Sequence, residues 1–258
     1  MDRGDAHFTT RLALTERDQR AAERLRYEVF VEELGGDGPL VDHTGRFERD
    51  RFDPFFRHLI LVDTRRDAEA LDHVVGVYRL LDADGAAAIG QYYSEDEYDL
   101  SVLKNSGRRL LELGRSCLHP DYRGGMAMYH IWNALAGIVA DEAIDILFGV
   151  ASFHGTDIDQ HAAALSLLYH HHLAPEEVRV RARAEHFQSM DLMPETKIDR
   201  VAAMRSVPAL IKAYLRLGGV IGDGAFVDRP FNTTDVCLIL DTARMNMTAA
   251  ARYQGARG

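Results

Sequence analysis

The run from Leu110 to Ser152 constrains this chain more than any other stretch. An apolar, strand-like segment, residues 110–118, leads into a turn carrying Pro120, Gly124 and Gly125. A helical pattern over 127–141 follows, and then a second buried-strand pattern over 145–152. Helices that alternate with strands in this way favour a sheet covered by helices on both faces.

Residues 16–34 carry Ala22, Leu25, Val29 and Phe30 near helical spacing, ended by Gly35–Gly36. Residues 35–54 are rich in Gly, Asp and Pro and read as a long loop, a class of segment that is often functional. Residues 58–63 and 74–81 read as strands joined by a charged turn, 94–104 as a short helix and 159–172 as a helix. A further strand is expected over 178–183. The pattern changes after residue 190, with a short helix over 208–217 and a last strand over 236–240. The expected architecture is therefore an α/β core over 1–190 with a C-terminal extension, 191–258, packing on the same domain.

Composition narrows the class. No apolar run approaches the roughly 20 residues that cross a bilayer, and the polar N-terminus lacks a signal core. The expected location is cytoplasmic. The two cysteines, Cys117 and Cys237, are far apart and form no Cys-x-x-Cys motif, which fits a reduced compartment. A net charge of −10 argues against broad nucleic-acid binding.

The chemistry is expected at Leu111-Glu112-Leu113-Gly114-Arg115-Ser116-Cys117-Leu118-His119-Pro120-Asp121-Tyr122-Arg123-Gly124-Gly125. A strand that enters a glycine turn and then a helix points backbone N–H groups at a helix N-terminus, which holds phosphate. A phosphopantetheine arm requires that kind of grip, although Gly-Gly before a helix is also an ordinary turn. Glu112 and Arg115 point to opposite faces of an ideal strand. A bulge at Gly114 brings both to one site; without it, one of them is a solvated charge.

The order of motifs resembles the GNAT-fold acyltransferases, and more narrowly the relatives of acyl-homoserine-lactone synthases. The matching residues are Arg26-Tyr27-Glu28-Val29-Phe30, then Arg79, then Glu112-Leu113-Gly114-Arg115. A closer resemblance, over roughly residues 11–241, is to the ornithine N-acyltransferases that begin ornithine-lipid synthesis. It is carried by Glu112–Arg115 with His119–Arg123, by Phe148–Asp157, by Leu210–Gly219, by Gly222-Asp223-Gly224 and by Phe231–Val236. One departure from common GNAT acetyltransferases is the run Gly124-Gly125-Met126-Ala127-Met128, where the family's coenzyme A loop has small residues. The two methionines leave little room for a pyrophosphate and lean toward a donor with a single phosphodiester.

The resemblance implies a GNAT-like mixed sheet with helices on both faces. It implies an N-acyltransferase that moves a 3-hydroxyacyl group from acyl carrier protein to the α-amine of ornithine, giving lyso-ornithine lipid. No tightly bound cofactor and no metal are expected. The alternatives are another amino-acid acceptor, a signal-molecule synthase, or a catalytically silent acyl-carrier or acyl-lipid binding module. The catalytic candidates are Glu112, as base directly or through a water, and Arg115. An ordinary peptide α-amine titrates near about 8, well below a Lys-type amine, so it is the easier one to deprotonate.

Arg26, Arg79, Asp42 and Asp53 are candidates for binding the acceptor. Arg79 and Arg115 serve as carboxylate forks, or else as ion-pair partners for loop acids such as Asp42 and Asp53, and Arg26 is otherwise an ordinary helix-surface cation. Those acids are equally candidates for the acceptor's second ammonium. Ser116, Cys117 and Leu118, with Arg123, Gly124 and Gly125, are assigned to the donor arm, with backbone N–H groups near 116–118 facing the thioester oxygen. Cys117 as nucleophile competes with Cys117 as packing. A metal on His170–His172 is disfavoured because adjacent helical side chains diverge.

Two surface readings remain. Residues 176–216 hold eight Lys/Arg against six Asp/Glu, an excess of cations in an acidic chain. The candidate cations for an acidic carrier protein are Arg179, Arg181, Arg183, Arg205, Lys212 and Arg216; Arg179, Arg181 and Arg183, on one face of an expected strand, are assigned to it, against the plainer reading of a solvated edge. The stripe Val207, Leu210, Ile211, Tyr214, Leu215 packs on the core, or else rests at the inner face of the membrane.

Overall fold

A computed structural model describes residues 7–246. Its strands are β1 (Phe8–Leu12), β2 (Arg57–Asp63), β3 (Val74–Asp82), β4 (Tyr98–Asp99), β5 (Leu110–Leu118), β6 (Ile146–His154), β7 (Arg181–Ala182), β8 (Phe187–Gln188), β9 (Val220–Ile221), β10 (Ala225–Asp228) and β11 (Thr233–Asp241). Its α-helices are α1 (Glu16–Arg26), α2 (Ala83–Ile89), α3 (Ser101–Lys104), α4 (Ala127–Asp141), α5 (Ile158–His172), α6 (Arg200–Ser206) and α7 (Ala209–Arg216). Among the described residues no helix is long and apolar enough to cross a membrane. The chain forms two compact units, one of residues 7–89 and 113–143, the other of 90–112 and 144–246. The change of pattern after residue 190 lies inside the second unit.

In the first unit β1, β2 and β3 pair antiparallel in order, with the C-terminal half of β5 beside β3. Alternation decides which side chain meets which helix. Ile60 and Val62 join Ala21, Ala22 and Leu25 of α1 in one buried cluster. Leu61 points the other way, toward Gly76. A Cβ on Gly76 would lie 2.6 Å from Ile131 of α4, so glycine there sets how closely α4 can approach the sheet. Thr15 starts α1 by accepting from the Asp18 backbone at 3.1 Å. The helix widens after Arg26 into a π-helical stretch, Tyr27–Glu33, a feature that often marks function.

In the second unit β5 runs parallel to β6 from Leu110↔Ile146 to Glu112↔Phe148, and β11 pairs antiparallel with β6 along its whole length. β10 and β8 extend the sheet, and β9 pairs with β11. Leu167 of α5 packs with Ile198 and Ala203. The stripe of α7 turns inward, with Ile211 at 0% and Tyr214 at 5% exposure.

Two local expectations fail. Residues 94–104 are not one helix: a 3-10 turn (Tyr93–Asp96), β4 and α3 divide them, because Tyr98 is drawn into the core and its hydroxyl donates to backbone carbonyls. The strand expected over 178–183 shrinks to Arg181–Ala182 after a 3-10 turn at Glu176–Val178, so Arg179 does not share a strand face with Arg181.

Candidate active site

In the first unit the long loop folds back over α1 and the sheet. The Glu48 amide donates to the Glu23 carbonyl, and Asp42 and Phe47 bridge. This closure delivers Glu48, Asp50 and Asp53 to three arginines from three different elements. Arg26, the last residue of α1, donates from Nε to Glu48 at 2.5 Å and from Nη1 to Asp53 at 2.5 Å. Arg79 of β3 reaches Asp53 at 2.9 Å and Asp50 at 2.8 Å, and its guanidinium lies 4.3 Å from the Phe56 ring centre. Arg115 of β5 donates to Glu48 at 3.2 Å, lies 3.5 Å from Asp50 and faces the Phe30 ring of the π-helical stretch. His58 of β2 lies 3.3 Å from Asp53.

Three guanidinium groups and three carboxylates balance, which is the condition for holding charges in so dry a place. Arg26 and Arg79 are both 0% exposed. Burial opposes ionisation of Asp53, but Arg26, His58 and Arg79 outweigh it and hold the carboxyl below its ordinary range. Burial likewise opposes Glu48 and Asp50. Arg26, Arg115 and Arg79 pull Glu48 down, and Arg79 and Arg115 pull Asp50 down. For His58, burial is the largest effect and pushes the imidazole toward its neutral form, aided by the two nearby arginines.

Gly114 itself keeps an ordinary backbone, and a Cβ there would make only ordinary contacts, 3.8 Å from Phe56 and 3.9 Å from the Arg79 guanidinium. The next residue, Arg115, takes a φ of +47°, a left-handed conformation that interrupts the strand. β5 then leads through Pro120–Tyr122 to Gly124, whose φ of +76° suits glycine, and into α4. No side chain caps the N-terminus of α4. Its first-turn N–H groups therefore lack a side-chain partner, and a helix N-terminus of that kind favours anions. Arg123 stands at this turn, bound to the Leu118 carbonyl at 3.2 Å and to Glu33 at 2.6 Å. Cys117 is buried between these elements, and burial pushes its thiol up to about 12, against a nucleophilic role.

In the second unit Glu112 is 1% exposed, and its carboxylate accepts from the backbone amides of Tyr93 at 2.7 Å and Ser94 at 2.6 Å. Glu97, Asp228 and Asp235 bring carboxylate oxygens within 4.8 Å of one another. Two of the expected carrier-facing arginines donate from Nε to backbone carbonyls: Arg179 to Ala174 at 2.6 Å and Arg183 to Glu95 at 2.5 Å. Arg181 pairs with Asp223. His170 and His171 have separate partners, the Met193 carbonyl and Glu195.

The sequence-derived residues Arg26, Arg79, Asp53 and Arg115 thus meet in one cluster. Asp42 does not join it. It is exposed and its carboxylate accepts from the Gly45 amide at 2.8 Å. Glu48, Asp50 and His58 were missed. Their signal was the run of acids Glu48, Asp50 and Asp53 inside a loop already marked as functional, and an isolated His on a buried strand.

A strand interrupted at Arg115, a glycine turn and an uncapped helix N-terminus fit the GNAT acyltransferase fold. Residues 25–133 match the family described as "Acetyltransferase (GNAT) domain". A solved structure of a CoA-dependent acyl-homoserine lactone synthase, BjaI, shares the fold, with a TM-score of 0.51 at 16% identity over 94% of this chain and 84% of that one. The chain belongs to the L-ornithine N(α)-acyltransferase family. It is 59% identical over 239 residues to the Rhodobacter capsulatus enzyme of that name, covering 93% of this chain and 92% of the relative. It is 40% identical over 245 residues to the Brucella abortus one, covering 94% and 87%. It is therefore an amino-acid N-acyltransferase.

Proposed function

We propose that this enzyme transfers a 3-hydroxyacyl group from acyl carrier protein to the α-amine of L-ornithine. The acceptor reading is carried by the full-length relationship to enzymes named for that acceptor. The donor reading is supported by the turn before α4. Met126 is 46% exposed there, where a coenzyme A pyrophosphate would need small residues, whereas the carrier's arm brings one phosphodiester to the helix N-terminus.

The reaction forms one C–N bond and breaks one C–S bond. The neutral α-amine attacks the thioester carbonyl, the oxygen gains charge as the tetrahedral intermediate forms, and the carrier's thiolate leaves. The proton lost by the amine ends on that thiol. Glu112 is assigned the proton relay, directly or through a water, on the Glu-x-x-Arg spacing. Backbone N–H groups of 116–118 are assigned to the oxyanion. Of the three arginines Arg115 retains exposure, 13% of its side chain, and is assigned the acceptor carboxylate. Arg26 and Arg79 hold the loop acids, of which Asp50, at 18% side-chain exposure, is assigned the second ammonium.

The test is mass spectrometry of products from purified protein, 3-hydroxyacyl carrier protein and a mixture of amino acids. A 3-hydroxyacyl-ornithine product is expected. A product on another amino acid would overturn the acceptor, and a product only from acyl-coenzyme A would overturn the donor.

A further inference from the structure

The chain carries 30 Lys/Arg against 40 Asp/Glu, so most of its cations have acids to pair with. The segment 195–216 departs from this, with five Lys/Arg against two Asp/Glu. Within it Arg200 pairs with Glu195. Lys197, Arg205, Lys212 and Arg216 have no carboxylate partner among the described residues. Lys212 Nζ donates to the Arg205 carbonyl at 3.3 Å, which brings the α7 cation to the end of α6, and Arg216 follows one turn on along α7. Val201, 64% exposed, lies one turn before Arg205. Arg205 and Arg216 sit in last helical turns, where the helix dipole favours cations. That accounts for their sign and leaves unexplained why no acids accompany them.

We propose that this α6–α7 surface, with Lys197, is the docking site for the acidic carrier protein, in place of Arg179, Arg181 and Arg183, each of which already has a partner within the fold. The proposal rests on the donor reading above. A cationic strip with one exposed apolar side chain complements an acidic helical face, and it steers association. An anionic lipid surface fits less well. A membrane-resting helix turns its apolar stripe outward, whereas Ile211 and Tyr214 of α7 are at most 5% exposed.

The experiment compares wild type with R205E/K212E/R216E, using the same acyl group on carrier protein and on pantetheine. The expected result is a rise of about tenfold or more in KM for the acyl carrier, with the pantetheine rate within about twofold. Wild-type KM for the carrier should rise with salt, and the variant's should not. An unchanged carrier KM in the variant overturns the docking site and leaves the donor reading standing. Wild type that refuses the acyl carrier yet accepts small thioesters overturns both, and is recognised without any variant. Wild-type binding to phosphatidylglycerol vesicles that the variant loses, at constant carrier KM, assigns the surface to lipid instead. K197E, an exposed single change, must shift KM in the same direction and guards against misfolding of the triple variant.

Discussion

Replacing Glu48 by glutamine tests the buried charge network most directly. Glu48 is 1% exposed and accepts from both Arg26 and Arg115. The substitution keeps the shape and one acceptor oxygen but leaves three guanidinium groups facing two carboxylates. Removing one partner of a buried pair costs about 3–5 kcal/mol, and the retained acceptor puts this change at the lower end, about 3 kcal/mol. For a chain of this size that corresponds to a fall in Tm of about 6–12 °C. The pH dependence follows from the direction of the Glu48 shift. Its folded pKa is depressed, so its stabilisation is present above the unfolded carboxyl value of about 4.3 and disappears as pH falls through the folded value. Denaturation of wild type and E48Q at pH 7 and at about pH 4 measures both effects, with the gap between them narrowing in acid. A Tm within about 2 °C of wild type at pH 7 would refute the reasoning, since it would mean that water reaches the cluster and screens it.

Glu112→Gln should lower kcat by about 100-fold or more while carrier binding, followed by titration, is retained; unchanged turnover would remove Glu112 from the proton relay. Arg115→Met should raise KM for the amino-acid acceptor by about 10- to 100-fold with a smaller change in KM for the acyl donor, and an effect on the donor alone would reassign Arg115. Cys117→Ser should retain at least about half of wild-type activity, and the wild-type thiol, pushed up to about 12, should resist alkylation at neutral pH; abolished turnover in a folded variant would restore covalent catalysis.

Hydrophobic periodicity settled the parts of this molecule whose burial is one-sided and regular. The helix read over 127–141 is α4, the strand read over 110–118 is β5, and the joined 16–34 pattern contains both α1 and the π-helical stretch. The spacing Glu-x-x-Arg marked Glu112 and Arg115 because a charged pair on an otherwise apolar strand needs a reason to be there. β1 escaped notice because Phe-Thr-Thr-Arg-Leu carries little alternation and is a strand through its pairing with β2. Arg179 and Arg181 do not share the expected strand face, because alternation in sequence implies a shared face only where a strand forms, and β7 is two residues long.

By itself, then, the sequence determined the alternating architecture, the strand–turn–helix that suits a phosphate arm, and the residue types that acyl transfer to an amine requires. Tertiary structure alone decided which charge opposes which. The loop over 35–54 brings Glu48 to Arg26 across 22 positions and Asp53 to Arg79 across 26. The left-handed residue of β5 is Arg115 rather than Gly114, and Asp42 stays at the surface. Periodicity reports which face of an element is dry. Ion pairs between distant elements are set by how the loop closes, and their strength depends on a desolvation that no local pattern encodes.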